Sequence, residues 1–265
     1  MSRRTKKVFG FCKLCGREGP LTFDHVPPRA AFNDGNFYSV PDEEMYDWAP
    51  NEEFKGKLKQ GGVGFYSLCA KCNNDTGSWY GRDFTWWCRD AAHILVAAKG
   101  RPSLYYPQKF FPLRIIKQVI TMFLSMNEVN LREGEPELAR FVLNREERYL
   151  NPKYRIFAYY NYQGHPRFKS YSVIWDNGVL SRLSEIAFPP IGYVLTFNSP
   201  PPDLRQTEIT YFSAYGYNDW KEIAMRFPVL ETHLPMAPGD YRSIEEIQKA
   251  VESGRKSKYY RGKRN

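Results

Sequence analysis

Histidine and cysteine are scarce in this chain, at four and five among 265 residues. Long apolar runs are missing altogether. None approaches the roughly 20 residues that a bilayer-spanning helix requires, so no membrane partner is expected. The basic start MSRRTKKVFGF is not followed by an apolar stretch, so no secretory signal is expected either. Five cysteines are few for a disulfide scaffold, and four of them stand in Cys-x-x-Cys pairs; this usage fits a reducing compartment and a cytoplasmic location. Acid is in deficit: 38 Lys and Arg against 29 Asp and Glu give a net charge of +9, which favours a polyanionic partner, nucleic acid above all. With 42% hydrophobic and 16% aromatic residues, a disordered chain is excluded and a substantial core is expected.

What is present is concentrated. Cys12-Lys13-Leu14-Cys15 and Cys69-Ala70-Lys71-Cys72 form two knuckles, the spacing by which four thiolates enclose a tetrahedral Zn²⁺. A site closed by four thiolates has no open position for water, so its role is structural. The alternative, a redox dithiol, is disfavoured because two pairs are present. Cys88, in the run FTWWCRD, reads as a buried thiol. Between the knuckles lie Asp24 and His25, and Asn73 directly follows the last cysteine. In an extended strand Asp24 and His25 face opposite sides. A bend at Pro27-Pro28 would bring them toward one cleft.

The order Cys-x-x-Cys, LTFDHVPP, Cys-x-x-Cys-Asn resembles the HNH endonucleases of the ββα-metal superfamily, in their zinc-knuckle branch, over about residues 11–90. The resemblance implies that Asp24 and Asn73 ligate a catalytic Mg²⁺ or Mn²⁺, that His25 is the general base, and that Cys12, Cys15, Cys69 and Cys72 hold structural zinc. It implies hydrolysis of nucleic-acid phosphodiester bonds, DNA favoured over RNA. Asn74 and Asp75 are alternative helix ligands. The family's asparagine shortly before the second cysteine pair is absent, since that stretch reads Gly62-Val63-Gly64-Phe65-Tyr66-Ser67. Arg29, Lys71 and Arg82 are candidate phosphate contacts, weighed evenly against solvated surface charges. Trp79, Tyr80, Trp86 and Trp87 read as core rather than base-stacking groups. His93, His165 and His233 lack metal-ligand spacing and read as structural or surface residues.

The expected organisation is α+β: a basic arm over residues 1–10, a zinc-stapled ββα-metal module over 11–100 with a polar insertion at 31–64, an antiparallel-sheet-plus-helices domain over 101–253, and a basic tail over 254–265. Hairpin strands are expected around a Gly19-Pro20 turn and at Phe65–Leu68, with a helix from Asn73 to Gly100 weakened by Gly77 and Gly81. Further helices are expected at 112–127, Glu135–Leu143, Asp219–Met225 and Ser243–Val251. Further strands are expected at Arg155–Tyr160, Ser170–Trp175, Ile191–Phe197 and Glu208–Phe212. Two other readings accompany the nuclease: a zinc-stapled nucleic-acid-binding protein without catalysis, and a nuclease subunit silent until a protein partner or activator engages its C-terminal part. A homodimer is compatible with either.

Overall fold

The computed structural model describes residues 7–40, 56–176 and 179–256. The expected basic arm, the acidic part of the insertion and the basic tail fall largely outside the described residues. Among these residues the fold is mixed α and β, with three sheets.

A small antiparallel sheet comes first, in the order β1 (Val8–Phe11), β2 (Glu18–His25), β5 (Gly64–Cys69). The chain reverses through the first knuckle, where the Cys12 and Gly16 amides close tight turns onto the Arg17 and Cys12 carbonyls. Gly19 and Pro20 lie within β2 instead of turning; the thiol-bearing knuckle makes the turn that the Gly-Pro pair was expected to make. β2 ends at His25, just before the Pro27-Pro28 pair, as proline's missing donor requires. The insertion contributes a two-stranded hairpin, β3 (Phe37–Ser39) with β4 (Lys57–Lys59).

β5 runs directly into one long helical stretch: α1 (Ala70–Thr76), a π-helical turn (Gly77–Gly81) and α2 (Arg82–Ala98). The wide turn is bracketed by the two glycines that sequence marks as weak points, consistent with their low helix propensity. Lys99 ends α2 in the left-handed conformation at φ 49°.

The rest surrounds α3 (Pro112–Met126), in which every residue but Arg114 is buried. A helix apolar nearly all round belongs inside a core. Helices α4 (Leu131–Gly134) and α5 (Pro136–Leu143) follow. A seven-stranded sheet wraps the other side in the order β6 (Ser103–Phe110), β12 (Lys221–Thr232), β7 (Tyr154–Gly164), β10 (Ile191–Phe197), β9 (Val179–Ala187), β8 (Arg167–Asp176), with β11 (Thr207–Glu208) beside β7. α6 (Ile244–Lys256) comes last, its first turn held by reciprocal Ser243 and Glu246 bonds.

Three further expectations need correction. Asp219–Met225 is not a helix; β12 starts at Lys221 and pairs with β6 over eight residues. Its alternating burial is a strand period that a short helical window conceals. Glu208–Phe212 is a two-residue strand followed by a 3₁₀ turn over Thr210–Ala214. The large sheet is not wholly antiparallel, because β12 runs parallel to β7. β12 is reached by a crossover and not by a hairpin, so the antiparallel constraint of a tight turn does not apply to it.

One core runs through both halves: Leu14, Leu68, Tyr80, Phe84 and Trp87 are buried in the same cluster as Ile116, Phe123, Tyr193 and Phe212. Trp87 donates to the Tyr193 hydroxyl at 2.9 Å, and Tyr80 donates to the Val142 carbonyl at 2.7 Å. Tyr80 and Trp87 are therefore core, as expected, whereas Trp86 is 58% exposed. A second cluster on the large sheet encloses a fully buried ion pair, Arg167 with Glu185, at 2.7 Å. Tyr159 and Tyr241 both donate to that carboxylate, so the buried charge is amply hydrogen-bonded.

A four-cysteine centre and the residues around it

Sequence separates the two knuckles by more than fifty residues, and the hairpin brings them together. The Sγ atoms of Cys12, Cys15, Cys69 and Cys72 all lie within 4.8 Å of one another, with Cys15 and Cys69 at 3.9 Å. Zn–S bonds of about 2.3 Å in a tetrahedron set ligand sulfurs roughly 3.8 Å apart, so the four thiols fit a zinc ion. Among the described residues, this is the one group of three or more His, Cys, Asp or Glu able to hold a metal, and no histidine joins it.

Local chemistry favours thiolates at Cys12 and Cys15. Cys72 donates to Cys12, and the backbone N–H groups of Cys15, Cys69 and Leu14 also point at its sulfur, which lowers Cys12 to about 4. Cys72 keeps the proton that Cys12 gives up, so its own pKa rises. A dication would take that proton's place. At Cys15, burial acts to raise the pKa, but the Arg17 amide and guanidinium outweigh it and the net shift is downward. Cys88 stands apart as a buried free thiol, pushed up by burial.

The clamp places Asn73 on the first turns of α1, facing β2. Its Nδ2 donates to Thr22 Oγ1 at 3.0 Å, and Thr22 in turn donates to the Leu68 carbonyl at 2.9 Å. Asn74 is exposed, and Asp75 is taken by Lys71 at 2.5 Å, so of the three candidate helix ligands only Asn73 has a hydrogen bond to β2.

Asp24 and His25 take opposite sides of β2, as strand alternation dictates. His25 packs edge-on against Phe23, two residues back, at 5.0 Å between ring centroids. Asp24 turns toward the C-terminal end of α3. Burial there raises its carboxyl to about 6, and the Ser125 hydroxyl acts to lower it. Ser125 Oγ also lies 2.5 Å from Ser67 Oγ, and Lys13 Nζ donates to the Ser125 and Asn127 carbonyls at 3.0 and 2.5 Å. Among the described residues no hydrogen bond links Asp24, His25 and Asn73 to one another.

His25 Nε2 lies 3.1 Å from the Gly61 carbonyl oxygen. A carbonyl only accepts, so Nε2 carries the proton and Nδ1 keeps the lone pair in the neutral ring. Asn33, which sequence reasoning missed, makes this contact possible. It is fully buried; its Nδ2 donates to the Pro27 and Val63 carbonyls at 2.7 Å each, and its Oδ1 accepts from the Val63 amide at 2.7 Å. It thus ties the loop after β2 to the segment carrying Gly61. Gly62, at φ 105°, passes so close that a Cβ would lie 2.2 Å from the Asn33 carbonyl oxygen. The Asn33-Asp34-Gly35 turn signal is visible in sequence, but its partner 30 residues on is not.

The three candidate phosphate contacts do not converge. Arg29 is exposed on the loop after β2. Lys71 is paired with Asp75. Arg82 is exposed eleven residues beyond Lys71 on the same helical stretch, about 16 Å along its axis at 1.5 Å per residue. His93 is exposed, and His233 bonds Glu231 at 2.5 Å, far in sequence from the cysteines. No helix among the described residues is long and apolar enough to cross a membrane.

No protein-family model, curated protein or solved structure matches this chain.

Proposed function

We propose that this protein is a zinc-stapled, metal-dependent endonuclease of the HNH type, acting on nucleic acid and on DNA in preference to RNA. The observation that carries the reading is the bond from Asn73 to Thr22: the four-thiolate clamp fixes the helix that bears Asn73 against β2, two residues from Asp24 and three from His25. Two oxygen ligands from Asp24 and Asn73 suit a hard cation that retains waters. Such a cation, Mg²⁺ or Mn²⁺, would neutralise charge developing on the phosphate. His25 Nδ1, free while Nε2–H is held by Gly61, accepts the proton of the attacking water; the P–O bond to the leaving sugar oxygen then breaks. The exposed Phe23 and Tyr66, in edge contact at 5.4 Å beside His25, offer faces for nucleobases. The net charge of +9 supplies affinity that is independent of sequence.

A second reading has its own observation. Asp24 faces Ser125 and lies on the opposite side of β2 from His25. That arrangement suits a nuclease held silent until a partner shifts α3, or a binding protein without catalysis. Mn²⁺ titration followed by calorimetry, on wild type and Ser125→Gly, separates the readings. Binding by wild type that is lost in Asp24→Ala supports an active metal site. Binding only after Ser125→Gly supports the silent form. Binding by neither supports the non-catalytic one.

A further inference from the structure

Beside the zinc knuckle and away from His25, the chain forms an open cleft of about 420 Å³. Its apolar floor includes Leu14, Ala139 and Leu143, and its polar edges are Arg132, Arg140 and Asn144. The two arginines come from α4 and α5, a segment that also carries Glu133, Glu135 and Glu137. Each of those acids is engaged elsewhere: Glu133 with Asn130, and Glu135 and Glu137 with Lys153. Among the described residues neither Arg132 nor Arg140 makes a salt bridge.

Arg132 is held in place. Its Nε donates to the Leu14 carbonyl at 3.2 Å, and its guanidinium lies over Gly16, where a Cβ would come within 2.3 Å of its Cζ. Gly16 is favoured by its φ of 73°, and its missing Cβ leaves room for the guanidinium. The contact leaves the remaining guanidinium N–H groups for a ligand. A zinc tetrathiolate would carry two net negative charges, and Arg17 stands beside Cys15. Arg132 and Arg140 add positive charge at the edge of the cleft. The held guanidinium of Arg132 and the exposed one of Arg140, above an apolar floor, match a phosphate with an attached sugar and base.

We infer that this cleft binds the backbone of a nucleic-acid strand, with a phosphate between Arg132 and Arg140 and the adjoining nucleoside on the apolar floor. The inference rests on the nucleic-acid reading above but not on catalysis. It also makes the zinc knuckle part of the substrate surface as well as a staple.

The test uses full-length protein and a fluorescein-labelled single-stranded 20-mer, with anisotropy measured at several salt concentrations. Among the described residues the Arg140 side chain makes no hydrogen bond or salt bridge, so Arg140→Glu is the main probe; Arg132→Lys retains the charge and loses the fork. Arg140→Glu should weaken binding about tenfold and flatten the salt slope by about one, with zinc content and Tm unchanged. Arg132→Lys should weaken it less. Equal affinity and slope for wild type and Arg140→Glu would overturn the cleft while leaving the nuclease reading intact. Absence of binding by wild type would overturn both the cleft and the nucleic-acid reading.

Discussion

Asn33 accepts the Val63 amide on its Oδ1 and donates to the Val63 carbonyl from its Nδ2, both at 2.7 Å. This pair locks the segment of residues 61–63 against the loop that leaves β2. The lock presents the Gly61 carbonyl to His25. Asn33→Ala should leave buried carbonyls without partners and cost about 2–3 kcal/mol. If His25 is the base, activity should fall further than stability predicts, because the ring has lost its fixed partner. Chemical denaturation and cleavage rates on the same preparations measure both effects.

The four thiols join the first sheet to the helix in a cluster that fits a zinc ion. Elemental analysis should find about one zinc per chain. Cys72→Ser should abolish it and cost more than about 3 kcal/mol, since apparent binding energies at such sites reach 10–16 kcal/mol in isolated domains. A folded, zinc-free wild-type protein would refute the tetrathiolate site.

Lys117 is fully buried, and its ammonium donates to the Phe141 and Asn144 carbonyls at the end of α5. Burial nonetheless lowers its pKa to about 7, against 10.5 when exposed, while the charges of Glu147 and Glu146 act to raise it. Between those values the unfolded chain binds the extra proton, so this group makes stability rise with pH from about 7 toward 10.5. The difference in urea midpoint between wild type and Lys117→Met, followed across that range, should grow in favour of wild type as pH increases.

Asp24 acts in the opposite sense. With its carboxyl raised to about 6 from 3.8, the metal-free folded protein holds the proton that the unfolded chain releases. Its contribution to stability is present below pH 4 and is lost as pH rises through about 6. Asp24→Asn should remove that slope in thermal melts. Adding Mn²⁺ to wild type should reduce it, because the cation replaces the proton.

Local patterns made much of this legible in sequence. The Cys-x-x-Cys pairs identify four residues that come together, the proline pair ends β2, and Gly77 and Gly81 bracket the π-helical turn. Cys88 is a buried thiol as its apolar neighbours suggest. What escaped depends on long-range contacts. Strands Ser103–Phe110 and Lys221–Thr232 pair across more than a hundred residues, and Pro107 and Pro228 mask their periods. The approach of Ser125 to Asp24 and of Arg132 to Gly16 brings together chain segments about a hundred residues apart, and no local motif encodes it. Asp24 and His25 were expected to share a cleft after a bend; β2 stays extended through both.

The most direct test of the account is cleavage of supercoiled plasmid by purified full-length protein in Mg²⁺ or Mn²⁺, beside His25→Ala of equal zinc content and Tm. The account predicts nicked or linear products from wild type, abolished by EDTA and reduced at least a hundredfold in His25→Ala, the usual worth of a general base. Equal products from both proteins, or none from wild type with either metal, would contradict it.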